Sequence, residues 1–154
     1  MVELLSAYLC TDYHVRVPEQ DVVLAVGSEE PLLETHFGPL PWAVITASNP
    51  GASPLEAAEN AERQRALQQR LDSFSATFTR AVNRAREGDW PDEPGFFVVG
   101  WSVTDAAQLA GSFGQNAILA GRGAGPARLA LLGNSWAGLE LPGHVRLLDD
   151  PPGT

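Results

Sequence analysis

The chain has 154 residues, 44% of them apolar, and 19 acidic against 10 basic side chains give a net charge of −9. That length suits one compact domain with a real core, and the charge repels polyanions on average, unlike the basic surfaces with which nucleic-acid binders displace counterions. The single Cys10 leaves no internal disulfide and no Cys-based zinc site, no basic segment precedes the apolar start VELLSAYLC, and no apolar run nears the roughly 20 residues that span a bilayer; a soluble cytoplasmic protein without nucleic-acid or membrane partners is expected.

LLSAYL at 4–9 places Leu4, Leu5, Tyr8 and Leu9 on one side of a short helix. YHVRV alternates and VVLAV at 22–26 is a short apolar run, which predicts two strands joined by the turn PEQD. WAVITA at 42–47 predicts a strand between GPLP and SNPG. A helix should follow. Ser53 stands three residues before Glu56, with Pro54 between them at the first helical position, the pattern of a capping box. The helix is expected to run to about Asp72. Its apolar stripe is marked by Leu67 and Leu71, and stepping back by turns gives Gln64, Asn60 and Ala57.

ATFTRAVNRA at 76–85 alternates and predicts a strand, with a helix as the alternative. FFVVGWSV at 96–103 is a continuous apolar run, as expected of a central strand. Ser102 or Thr104 then caps a helix in which Ala106, Leu109, Ala110 and Phe113 recur at helical steps, and Gly114 sits where a left-handed cap is expected. QNAILA and ARLALL predict two further strands joined by GRGAGP, and 149–154 are expected to form a disordered tail. From residue 42 the order is strand, helix, strand, strand, helix, strand. The expectation is a single α+β domain over residues 1–148, a sandwich with the ferredoxin-like split βαβ order and extra flanking strands. A rearranged α+β sandwich is the competing topology.

Most motifs have a plain reading. GRGAG at 121–125 is followed by Pro126 and an apolar run rather than a helix, so it predicts a hairpin loop and not a phosphate loop. His14, His36 and His144 have no metal-ligand spacing, so no metal and no cofactor is implied. No nucleophile elbow GxSxG is present. The arginines between Arg63 and Arg86 read as a solvated surface. Glu93, directly ahead of the predicted central strand, is the acid to follow.

Two segments stand out. In ITASNPGAS the strand closes at Thr46, Ser48 and Asn49, Pro50 and Gly51 turn the chain, and the helix start offers its free N–H groups. Asn60 on the inward stripe needs a hydrogen-bond partner, and Arg63 follows three residues later. In FGQNAILAG, Gln115 and Asn116 lie between a helix stop and a buried strand. The two segments can line one cleft formed by Thr46, Asn49, Ser53, Asn60, Arg63, Gln115 and Asn116.

AYLCTDYHV, WAVITASNPGAS, the helix bearing Asn60, Arg63, Leu67 and Leu71, WPDEPGFFVVG and FGQNAILAG stand in this order over residues 7–121. Together they resemble a family of small bacterial proteins known only as a domain of unknown function, with ITAxNP and FGQNA segments. The resemblance implies a stand-alone cytoplasmic bacterial domain and carries over no activity. The positions it marks here are Tyr8, Thr11, Tyr13, Thr46, Asn49, Pro50, Ser53, Asn60, Arg63, Glu93, Phe113, Gly114, Gln115 and Asn116. Three functions are compatible with these residues. The first is a module that binds a small polar or anionic molecule in the amide-rich cleft. The second is an enzyme of hydrolase or glycosyl-bond type with Glu93 as catalytic general acid or base. The third is a protein-interaction domain without a ligand.

Overall fold

The computed structural model of the protein describes residues 1–148; the expected disordered tail lies outside the described residues. The elements are α1 (Val2–Leu9), β1 (Thr11–Val17), β2 (Gln20–Leu24), α2 (Pro31–Phe37), β3 (Pro41–Thr46), α3 (Ala57–Ser73), β4 (Thr77–Ala85), β5 (Glu93–Val99), α4 (Val103–Ser112), β6 (Ala117–Arg122), β7 (Arg128–Leu131) and β8 (Val145–Leu147). They form a mixed α+β fold on one sheet of order β2-β1-β4-β5-β3-β6-β7-β8. Every neighbouring pair is antiparallel except β7 with β8. The two strongest apolar runs, β3 and β5, lie side by side at the centre, where a strand buried on both faces reads as continuously apolar.

Alternation along these strands separates two cores. Ala43, Ile45, Phe96 and Val98 face α3 and α4, packing on Leu67, Leu71, Ala106 and Ala110. Their neighbours Trp42, Val44, Phe97 and Val99 face the other way, with Tyr13, Val15, Leu24 and Leu33. The sheet curls around this second, inner face as a half-barrel. The connection after β2 meets the β6–β7 loop, through Gly27 N–H to the Ala127 carbonyl at 2.7 Å and Ala127 N–H to the Ser28 carbonyl at 2.8 Å. At one end the inside is plugged. α2 drops Leu33 into it, and the rings of Phe37 and Trp42 each lie 5.5 Å from that of Phe97. The other end is covered by α1, whose Leu5 joins a small separate core with Leu129, Leu131 and Trp136.

Three expectations need correction. The first concerns the capping box. A 3-10 turn at Pro50–Ala52 precedes an extended stretch, and α3 begins at Ala57 after Glu56, with no side-chain cap. The reason is local competition. The Leu55 N–H, one of the free donors of a helix starting at Pro54, donates instead to Asn49 Oδ1 at 3.0 Å, so residues 53–56 are drawn out along the loop. The second concerns FFVVGWSV: β5 starts earlier, at Glu93, and ends at Val99. Gly100 at φ 92 turns the chain, and Ser102 caps α4 by accepting the Asp105 N–H at 3.1 Å. The third is an omission of α2 and β8, which are too short to show a period.

Candidate functional site

The loop after β3 is held by side chains in place of a helix cap. Asn49 adopts a left-handed conformation, φ 48 and ψ 63, which asparagine tolerates better than most residues. Its N–H donates to Asn60 Oδ1 at 2.9 Å, and Asn60 Nδ2 donates back to Asn49 Oδ1 at 2.8 Å. Thr46 Oγ1 donates to the Pro94 carbonyl at 2.7 Å and accepts the Ser48 N–H at 3.1 Å. Gln64, with its amide oriented to satisfy both ends, pairs with the Pro94 carbonyl and the Gly95 N–H at 3.2 Å each. The inward polar half of the α3 stripe therefore clamps the ends of β3 and β5.

Arg63 ties this loop to the one after α4. Its Nε donates to the Ala47 carbonyl at 2.6 Å, its Nη2 donates to the Phe113 carbonyl, and its guanidinium lies 5.9 Å from the centre of the Phe113 ring. Gln115 Nε2 donates to the Ser48 carbonyl at 2.9 Å, and Gly51 N–H donates to the Gly114 carbonyl at 2.8 Å. Gly114 is required here twice over. It sits at φ 75, and a Cβ on it would stand 2.7 Å from Pro50 Cβ.

The remaining Asn49 donor points the other way. Asn49 Nδ2 donates to Glu93 Oε2 at 2.6 Å. Glu93 opens β5 on the inner face and faces a cavity of about 390 Å3 between the end of the sheet and α1. Its floor and walls come from Tyr13, Asn83, Val44, Thr46 and Leu119 on the strands. Its roof comes from Glu3, Leu4, Ala7 and Tyr8 on α1, and its rim from Glu87, Trp90, Asn49 and Gln115. Register puts Tyr13 beside Asn83 and Asn83 beside Glu93, a row of three polar side chains across β1, β4 and β5. Asn83 Oδ1 is buried and has no hydrogen-bond partner.

Burial holds the Glu93 carboxyl above the usual carboxylate range, and hydrogen bonds from the Asn49 and Trp90 side chains offset only part of that. The Tyr8 hydroxyl is pushed up to about 12 by burial and by the Glu93 charge, partly offset by a hydrogen bond with the Asn116 side chain. Tyr13 is raised too, by burial first and then by Tyr8 and Glu93. Among the described residues, no cluster of three or more His, Cys, Asp or Glu side chains is placed to hold a metal ion.

Of the residues singled out from the sequence, Thr46, Asn49, Glu93 and Gln115 line the cavity. Asn60 and Arg63 stand behind Asn49 as its support, and Ser53 lies in the exposed stretch before α3. Asn116 reaches the site through Tyr8. Sequence reasoning assigned no site role to Asn83, Trp90 or the α1 side chains Glu3, Leu4 and Ala7, and marked Tyr8 only as a position of the family resemblance. The alternation of ATFTRAVNRA places Asn83 on the face of Ala81, but only the register brings it beside Glu93. Within the basic cluster, Arg84 pairs with Asp92 and Arg86 with Asp12, both at 3.0 Å, while Arg63 is turned to backbone carbonyls.

Residues 45–118 match the model of a family described as a protein of unknown function (DUF3293). The match runs from the end of β3 through α3, β4, β5 and α4 to the start of β6, so it includes Asn49, Asn60, Arg63, Glu93 and Gln115. No curated protein and no solved structure matches the chain.

Proposed function

We propose that this domain of unknown function is a binding module for a small molecule with an apolar body and a polar end, seated under α1 with the polar end at Glu93, Asn49 and Gln115. One observation carries the reading. A partly buried carboxyl, hydrogen-bonded by the Asn49 and Trp90 side chains, opens on a cavity of about 390 Å3 instead of on a cation of its own. Cavities of roughly 300–1,000 Å3, largely apolar with a few convergent polar groups, are the usual form of a small-molecule site. A perturbed carboxyl in such a cleft costs stability that the fold could avoid with a glutamine. The order β4-β5-β3-β6, with α3 and α4 as crossovers on one face, supports reading the centre of the fold as a ferredoxin-like unit whose strand ends carry the site.

A second reading has its own observation. The raised carboxyl of Glu93 favours proton transfer nearer neutral pH than an ordinary glutamate, so Glu93 suits a general acid or base acting on a bound substrate. A thermal-shift screen of metabolites tests both readings. A ligand at about a hundred times its Kd adds about 2.7 kcal/mol, a rise in Tm of several degrees for a domain this size. Ala7→Trp, which fills the cavity from α1, should abolish the shift. A ligand that binds Glu93→Gln but is chemically changed only by the wild type would select the enzyme. If no compound shifts the wild type, or shifts persist in Ala7→Trp, the cavity is not the site.

A further inference from the structure

Resting on that reading, we infer that the polar end of the ligand is a cationic N–H donor, a protonated amine or amidine carried on a flat apolar body. The inner face offers acceptors at Glu93 and Asn83, and two of its amide donors are already used. Asn49 Nδ2 is committed to Glu93 and Gln115 Nε2 to the Ser48 carbonyl. Asn83 Oδ1, one strand over from Glu93, is buried and unpartnered. A buried acceptor left unmade is costly, and a ligand N–H that reaches both Glu93 and Asn83 removes that cost.

Charge points the same way. Glu3, Glu87 and Glu93 line the cavity from α1, from the β4–β5 connection and from β5, and no arginine or histidine lines it. Arg63, behind the site, has Nε and Nη2 committed to the Ala47 and Phe113 carbonyls, and Arg86 is held by the Leu9 carbonyl and Asp12. An anion would enter against Glu87 and Glu93, while Glu3 already lies 3.7 Å from the N-terminal amine; a cation gains from these carboxylates and relieves the partly buried Glu93. The rings of Tyr8, Tyr13 and Trp90 suit a flat body, and their faces attract a cation further.

Four probes of nearly one shape, benzylamine, benzamidine, benzyl alcohol and benzoate, separate charge from shape. Binding is read by NMR titration of the full chain, following the Trp90 indole N–H and the Asn49 and Asn83 side-chain amides. Benzylamine and benzamidine should bind at least tenfold more tightly than the alcohol or benzoate. Glu93→Gln should remove most of that difference. Asn83→Asp, of the same shape with one more charge, should strengthen the amine. Benzyl alcohol or benzoate binding as tightly as the cations overturns the charge class and leaves the cavity as a binding site. Cation binding that is unchanged in both variants does the same. Cavity resonances that respond to none of the four probes overturn this inference, and a wild type also silent in the metabolite screen overturns the binding reading with it.

Discussion

Asn49 and Asn60 are bonded to each other in both directions, backbone N–H to side-chain oxygen at 2.9 Å and side-chain nitrogen to side-chain oxygen at 2.8 Å. The pair does for the loop what a strand partner does for a residue in a ladder. It also fixes the Asn49 amide so that Nδ2 can aim only at Glu93. Asn49 is 4% exposed, so water cannot replace a lost partner. Asn60→Ala should therefore destabilise the protein by about 1–3 kcal/mol, the cost of leaving a buried donor unmade. It should also loosen ligand binding at a residue that never touches the ligand. Urea unfolding beside a binding titration checks both. A loss under about 0.5 kcal/mol would show that the loop holds itself without the pair.

Arg63 is expected to behave as a staple. It joins the Ala47 carbonyl, just beyond β3, to the Phe113 carbonyl at the end of α4. Hydrogen bonds to a charged donor contribute about 1.5–3 kcal/mol each, so Arg63→Ala should cost about 2–4 kcal/mol. Arg63→Lys should recover less than half, because an ammonium lacks the planar fork that spans two carbonyls. Denaturant midpoints of the three proteins give the answer; a lysine variant as stable as the wild type would mean that charge alone suffices.

Ser53→Ala should change stability by no more than about 0.5 kcal/mol. A serine that capped α3 would cost about 1 kcal/mol, but α3 starts at Ala57 and Leu55 N–H belongs to Asn49. Thermal melts of the single variant decide between the two.

Glu93 makes stability depend on pH. Its pKa is raised in the fold, so the folded state holds the proton more tightly than the unfolded chain does. The stability this contributes is fully present below the ordinary carboxylate range, near 4.3, and is lost as pH rises through the folded value. Glu93→Gln cannot ionise, so it should melt higher than the wild type at about pH 8, with the gap closing as pH falls towards about 4. The groups that face this carboxyl are Glu3 and Tyr8 from α1, Tyr13 from β1 and Glu87 from the β4–β5 connection. None is basic, so none reverses the sign. Melting curves that run parallel across this range would mean that the carboxyl is not strained.

What the sequence showed follows from what each signal measures. β3 and β5 were legible because both their faces are buried, and α4 because its stripe recurs over nearly three turns. The order strand, helix, strand, strand, helix, strand could be read from residue 42 onward, but strand neighbours could not. Glu30 caps α2 with its own carboxylate, bonded to Leu32 N–H at 3.2 Å, and seven residues are too few for a period to show against that. At the site, composition singled out the inward amides, of which Asn60 and Gln64 hold the ends of β3 and β5 while Asn49 and Gln115 line the cavity. Arg63 was expected to face into the cleft, and its guanidinium instead faces two carbonyls. The cavity depends on the register of β1, β4 and β5 and on where α1 docks. Both are long-range facts, absent from any window of the chain.

The docking of α1 ties the roof of the cavity to a remote stretch of chain. Leu5 packs with Trp136, Leu129 and Leu131, while Tyr8, one turn on, lines the cavity and lies 6.3 Å from the Trp136 ring. Trp136 in turn donates to the carbonyls of Asn116 and Leu132. Among the described residues none beyond Leu119 lines the cavity, yet a nascent chain that has emerged only that far lacks the Leu129, Leu131 and Trp136 side chains on which its first helix packs. The cavity is therefore among the last parts of the molecule to be completed during synthesis, and it closes only when the first and last quarters of the chain meet.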